Sequence, residues 1–199
     1  MNDGSVTNLT SRFETALVYA TQLHAQQRRK VTGVPYIAHL LGVAALVLED
    51  GGDEDEAISA LLHDAVEDQG GAATRLEILH RFGDKVAEIV DGCTEPDANL
   101  FPNWKAHKLQ YLAQLRCASP SVQRVMLADK LHNIRGMLVN LRLKGEAIWS
   151  QFRGSKEDIL WLQQAQLEIY RQVSKSWMVE ELEKSVRELD GWLFEKAGF

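Results

Sequence analysis

A chain of 199 residues, 45% hydrophobic and 25% charged, is long enough for one domain with a sizeable core and has the make-up of a globular protein. Its net charge of -6 argues against general nucleic-acid binding, which depends on clustered Lys and Arg neutralising phosphates; the only dense basic run is QQRRK at 26–30. No apolar run approaches the length of a membrane span, the N-terminal stretch MNDGSVTNLTSRFE lacks the basic and apolar regions of a leader, and the two cysteines, Cys93 and Cys117, form no C-x-x-C pair. The expectation is a cytoplasmic protein with neither a disulfide framework nor a zinc ribbon.

Few prolines and the lack of alternating β-branched runs predict an all-α fold. Phe13, Ala16, Leu17, Ala20 and Leu23 recur at helical spacing, so a first helix is expected over about 12–27, with Ser11 and Glu14 as its capping box. Gly33 and Pro35 then mark a loop, followed by a helix over 37–49. Asp53 caps a third helix carrying Ala57, Ile58, Leu61 and Leu62, which is expected to continue through HDAVED to the glycines at 70 and 71. A further helix starts near Thr74, and FGD at 82–84 reads as a joint to the next. Residues 93–103 read as an irregular loop, helices are expected over 104–117 and 121–139, and two more near 156–173 and 178–194. In the last of these Met178, Leu182, Val186, Leu189 and Leu193 form an apolar stripe, and Trp161, Trp177 and Trp192 are read as packing residues.

The stretch ALLHDAVEDQGG, residues 60–71, places four ionisable groups among apolar ones. On one continuous helix His63 would stack with Glu67, and Asp64 with Asp68. Apolar neighbours on most sides favour a buried pocket over a solvated face, and buried carboxylates and imidazoles need partners. His39 on the apolar helix PYIAHLLGVAALV and Asp129 after the apolar run VMLA are two more such groups. Taken singly each histidine reads as a hydrogen-bonded core residue. Three apolar segments all carrying His or Asp inward are better explained by one shared divalent ion, held by His39, His63, Asp64 and Asp129. Two nitrogens and two carboxylates suit Mn²⁺, Fe²⁺ or Zn²⁺ alike. Glu67 and Asp68, one turn further on, are placed to orient or deprotonate an attacking water, or to protonate a leaving group. His24, His80 and His107 lack supporting neighbours, His132 is expected to point away from the site, and Lys105 and Lys108 are as consistent with solvated surface as with a phosphate contact.

The pattern His…His-Asp…Asp resembles the HD superfamily of metal-dependent phosphohydrolases. RRKVTGVPYIAHLLGVA, ALLHDAVED, FGDKVAEIVDGCTE and LADKLHNIR together resemble the hydrolase domain of RelA/SpoT homologues, whose stand-alone form is the small alarmone hydrolase. The resemblance implies an HD-domain bundle of about 8–10 helices. Residues 1–199 would form one domain, with the helices of about 156–194 packing on it. It implies hydrolysis of the 3′-diphosphate of (p)ppGpp to GDP or GTP and pyrophosphate, one Mn²⁺ on His39, His63, Asp64 and Asp129, and Glu67 and Asp68 driving water attack. It also implies nucleotide contacts from Arg29 and Lys30, with Arg28 able to take one of their places, and from Asn133. The chain departs from the family pattern at Leu40, where proline is usual, and at Gly136, where Thr or Asp is frequent. The expected partner is a small-molecule nucleotide, with no nucleic acid and no membrane, in a monomer or homodimer. Other nucleotides such as (p)ppApp or NADPH, and a non-catalytic nucleotide-binding module, are the competing readings; a degenerate module would have lost some of the six site residues.

Overall fold

The computed structural model describes residues 7–194; residues 1–6, part of the stretch read above for a leader, lie outside the described residues, as do residues 195–199. The described residues are all-α: nine helices and one single-turn helix, with no strand beyond an isolated antiparallel bridge between Arg28 and Pro35.

Helix α1, Ser11–Leu23, is capped by Thr10, whose hydroxyl accepts from the Arg12 amide, and not by the expected Ser11 box. It ends four residues earlier than its pattern suggested, because residues 27–36 fold into a tight loop. Arg29 N–H donates to the Val34 carbonyl at 2.9 Å, and Gly33 at φ 72 makes the turn that a side chain would oppose. Helix α2, Ile37–Glu49, follows as expected. Helix α3, Glu54–Leu62, starts on a capping box in which Asp53 accepts from the Glu56 amide and Glu56 accepts from the Asp53 amide.

Helix α3 does not run on through HDAVED: Asp64 shifts to φ -97, ψ -2, and only the single turn α4, Ala65–Asp68, follows. Helices α5, Gly71–Phe82, and α6, Asp84–Cys93, meet at the expected Gly83 joint. An irregular segment with one 3₁₀ turn at Ala98–Leu100 leads to α7, Trp104–Cys117.

Helix α8, Pro120–Lys144, is the longest, about 38 Å at 1.5 Å per residue. It runs past the expected end at 139, with the Asn140 side-chain amide donating to the Gly136 carbonyl within the helix, and stops only at Gly145. Helices α9, Lys156–Val173, and α10, Trp177–Phe194, follow a 3₁₀ segment at Gly145–Gln151. Helix α8 packs against α2, α3, α6 and α10, so residues on its different faces reach different parts of the molecule. Leu127, Leu131 and Ile134 of α8 are fully buried in one core cluster that also holds Leu61 and Leu62 of α3. The α10 stripe is buried from Met178 to Leu193. Trp177 is the exception among the tail tryptophans: it sits at the first residue of α10, 38% exposed, while its neighbour Met178 takes the inward position. No described helix is long and apolar enough to cross a membrane.

Candidate metal centre and its pocket

Three helices deliver the centre. Helix α2 contributes His39, the residues just after α3 contribute His63 and Asp64, and α8 contributes Asp129. His39, His63 and Asp129 each offer a ligand atom within 4.8 Å of the others, and all three are buried. His39 Nε2 lies 3.1 Å from Asp129 Oδ1, and His63 Nε2 lies 3.0 Å from Asp64 Oδ2. Asp64 stands at the edge of the group: its Oδ2 is 3.7 Å from His39 Nε2 but also accepts the Tyr36 hydroxyl at 2.6 Å.

The residues fit a cation on two grounds. Neither His39 Nε2 nor His63 Nε2 has a hydrogen-bond partner, although both atoms are buried, and an orphaned buried polar atom is costly. Further, His63 Nδ1 lies 2.8 Å from the Ala60 carbonyl, which can only accept, so the ring proton is at Nδ1 and the Nε2 lone pair is free to face Asp64 and Asp129 when the ring is neutral. Burial opposes charge on His63, but Asp64 and Asp129 outweigh it and raise the imidazole well above its usual value. Two carboxylates thus make the His63 edge a place where positive charge is favoured, which a cation would supply.

Asp129 is similarly over-determined. Burial pushes its carboxyl up, but Lys130 and the two histidines hold it well below the usual range. Its Oδ1 accepts from Asn133 Nδ2 at 2.6 Å, and its Oδ2 lies 2.9 Å from Lys130 Nζ. Lys130 is itself sandwiched between Asp129 and the ring of Tyr111, 5.2 Å from the ring centre. Burial lowers His39, with Asp129 opposing, so that ring favours the neutral form a ligand needs.

The centre opens into a pocket of about 120 Å³ lined by Tyr36, His63, Asp64, Glu67, Cys93, Glu95, Tyr111, Met126, Asp129, Lys130 and Asn133. Glu67 is at its wall, where Oε2 accepts from the Glu95 amide at 3.3 Å. Loss of solvation, and then the charge of Glu95, raise its carboxyl above the ordinary value. Asp68 does not line the pocket; its Oδ2 accepts from Gln27 Nε2 at 2.7 Å. The helix break at Asp64 thus separates the roles that one continuous helix would have stacked: His63 turns inward, Glu67 stays on the pocket wall with its outer side open to solvent, and Asp68 lies outside the pocket.

Of the three basic candidates, Arg29 is brought to the site: its guanidinium donates to Asn133 Oδ1 at 2.7 Å and lies over the Tyr36 ring. Arg28 and Lys30 are exposed on the same loop. Lys108 pairs with Glu95, and Lys105 lies over the Trp161 ring, so neither is a freely solvated cation. Leu40 is buried in the core, and Gly136 has open space around it.

Other residues at the site carried no assigned role in the sequence. His132 does not point away: its Nδ1 is 2.9 Å from His39 Nδ1, and burial, then His39 and Arg29, lower it to about 4. His24 is buried, hydrogen-bonded through Nδ1 to Gln27 Oε1 at 2.6 Å and stacked on Tyr36. His107 is also buried, donating to the Pro96 carbonyl at 2.7 Å. Tyr36, Lys130 and Glu95 lay within the quoted motifs, but nothing in their spacing told which way they face. Asp129 and His132 do share a helix face at i, i+3, which was a usable signal.

The HD domain model matches residues 16–160. Over 123 residues, 60% of this chain, the sequence is 40% identical to a probable guanosine-3′,5′-bis(diphosphate) 3′-pyrophosphohydrolase of Synechocystis sp., of which it covers 16%. Over 124 residues, 62% of this chain, it is 37% identical to a guanosine-3′,5′-bis(diphosphate) 3′-pyrophosphohydrolase of Aquifex aeolicus, of which it covers 17%. The chain therefore spans about a sixth of the length of these curated relatives. A crystal structure from Listeria monocytogenes, 27% identical, superposes with a TM-score of 0.67 over 79% of this chain and 99% of that one. A metazoan ortholog of SpoT, described as hydrolysing ppGpp, shares the fold with a TM-score of 0.75 at 24% identity, over 92% of this chain and 97% of that one. With the family model covering most of the helices that build the centre, the chain belongs to the HD-domain family.

Proposed function

We propose that the protein hydrolyses the 3′-diphosphate of (p)ppGpp, releasing pyrophosphate and GDP or GTP, with one divalent ion, Mn²⁺, at the centre. The observation that carries this reading is the convergence of two orphaned histidine nitrogens and Asp129 beside a pocket, within the residues matched by the HD domain model, in a chain 37–40% identical over 123–124 residues to the two 3′-pyrophosphohydrolases. His39, His63, Asp64 and Asp129 would hold the ion. When bound, it supplies Lewis acidity that draws electron density from the phosphoryl oxygens and makes water a better nucleophile.

The chain's own residues do the rest. Glu67, at the pocket wall, takes a proton from water as its oxygen adds to the phosphorus attached to the 3′-oxygen. The bond from phosphorus to that oxygen breaks, and a carboxyl of the Glu67–Asp68 pair returns a proton to the departing 3′-oxygen, which becomes the ribose hydroxyl. Arg29, anchored on Asn133 and Tyr36, presents a guanidinium to the diphosphate, and Lys130 holds Asp129 ionised. Arg28 and Lys30, exposed on the same loop, are proposed as outer contacts for the substrate. We further propose that α9 and α10 fold as one unit with the site, a reading supported by the burial of Tyr170 and Leu182 against the rest of the core.

The test is to incubate the Mn²⁺-loaded protein with ppGpp, pppApp, NADPH and a generic phosphodiester, and to separate the products by chromatography. Pyrophosphate is expected from ppGpp. Release from pppApp alone would move the assignment to an adenosine alarmone, phosphate release from NADPH alone would move it to that dinucleotide, and reaction with none of the four would overturn it.

A further inference from the structure

We propose that His132 is a positioning residue that sets the tautomer and ring angle of His39, and that position 42 is glycine because the His132 ring occupies the space its side chain would take. The inference rests on the metal-centre reading above.

The two imidazoles meet Nδ1 to Nδ1 at 2.9 Å, with ring centres 4.8 Å apart and planes at 58°. Between two such nitrogens one must donate and the other accept. The opposite edge of His39 decides which. Its Nε2 is buried, faces Asp129, and has no hydrogen-bond partner, which suits a lone pair directed at a cation. A neutral ring with its lone pair at Nε2 carries its proton at Nδ1, so His39 donates and His132 accepts. His63 is held by the same logic with a different partner, its Nδ1 proton going to the Ala60 carbonyl. Each histidine of the centre thus has its far nitrogen tied, one to backbone and one to a second histidine.

The packing shows that this contact is built in. A Cβ on Gly42 would lie 2.3 Å from both Cδ2 and Nε2 of His132. His39 and Gly42 are one turn apart on α2, and Asp129 and His132 are one turn apart on α8. Each helix therefore brings one residue of the centre and one element of its support, and the notch in α2 admits the ring that α8 supplies.

The experiment compares His132→Asn, which keeps an acceptor near the Nδ1 position, with His132→Leu, which removes it. Gly42→Ala, which displaces the ring while leaving it intact, is the third variant. Mn²⁺ affinity of chelator-stripped protein is measured by calorimetry, and the Nδ1 proton of His39 is followed by NMR in the Zn²⁺-loaded form. His132→Leu and Gly42→Ala should bind roughly 10–100-fold more weakly, the range seen when a ligand's outer partner is lost. They should also lose the protected Nδ1 proton signal, and His132→Asn should keep it and recover most of the affinity. Unchanged affinity in His132→Leu, or equal loss in the Asn and Leu variants, would overturn the positioning role. If the wild-type protein itself bound no Mn²⁺, the centre reading would fall first, and the inference with it.

Discussion

Glu67 and Glu95 are the pair of residues on which the pH dependence should turn. Glu67 is raised by loss of solvation and by the Glu95 charge, while the Glu95 amide, donating to Glu67 Oε2, works the other way. A general base acts only when ionised, so turnover should rise through a pH range above that of an ordinary glutamate and flatten beyond it. Glu95→Gln keeps the amide and removes the charge, so the rising limb should move to lower pH in a kcat profile. A limb that stays in place would mean that Glu95 does not set this group. Glu67→Gln should bind Mn²⁺ as wild type does and lose turnover by roughly 10²–10⁴-fold. Retained turnover would remove it from the mechanism. Both residues sat in plain view in the sequence, but their proximity did not. They are 28 positions apart, and only the fold of α5 and α6 returns the chain to the pocket.

Among the elements, the cap of α3 and the α5–α6 joint were legible, while the cap of α1, the ends of α1 and α8 and the continuation of α3 were misread. Asp53 and Gly83 stand where local hydrogen bonding requires a small polar group or glycine, so the start of α3 and the α5–α6 joint follow from local sequence, whereas the Asn103 and Ser119 caps of α7 and α8 emerged with the structure. The break at His63–Asp64 does not. A helical pattern continues through it in sequence, and what interrupts it is the pull of the cluster itself, with His63 on the Ala60 carbonyl and Asp64 on Tyr36. The join between elements rests partly on Arg124 of α8, which bonds Asp50 just after α2 at 3.1 Å and Glu56 in the first turn of α3 at 2.5 Å. Those carboxylates are 8% and 5% exposed, whereas Arg124 is 32% exposed. Arg124→Ala would leave two buried carboxylates without a counter-charge, held only by the Ser176 hydroxyl on Asp50 and the Asp53 amide on Glu56. The expected loss is toward the lower end of about 3–5 kcal/mol, because the guanidinium is partly solvated. Denaturant unfolding measures it, and a loss under 1 kcal/mol would show that water already satisfies both acids.

For the molecule as a whole, α8 is the shared wall: one face carries Asp129, Lys130, His132 and Asn133 to the site, and another packs against α10. Leu182 of α10 is fully buried in the common core. Leu182→Ala should cost about 2–5 kcal/mol and lower the midpoint of a single thermal transition, since the cavity would open inside one core. Two separate transitions, or a midpoint shift without loss of stability at the centre, would separate α9 and α10 from the unit that holds the ion.

Local sequence was enough for the helical class, for nearly every helix in order, and for picking out His39, His63, Asp64 and Asp129 as ionisable groups that interrupt apolar runs. These are local properties, set by periodicity of 3.6 residues and by the cost of burying an unpaired polar group. The tertiary structure decided which of these atoms face one another. It placed His39, His63 and Asp129 in one tight set with Asp64 at its edge, drew Arg29 rather than Arg28 or Lys30 to Asn133, and turned His132 onto His39. Such choices depend on the rotation of α2 and α8 about their axes and on the space left by Gly42, and helix rotation is set by the packing of many distant side chains at once, which no local stretch encodes.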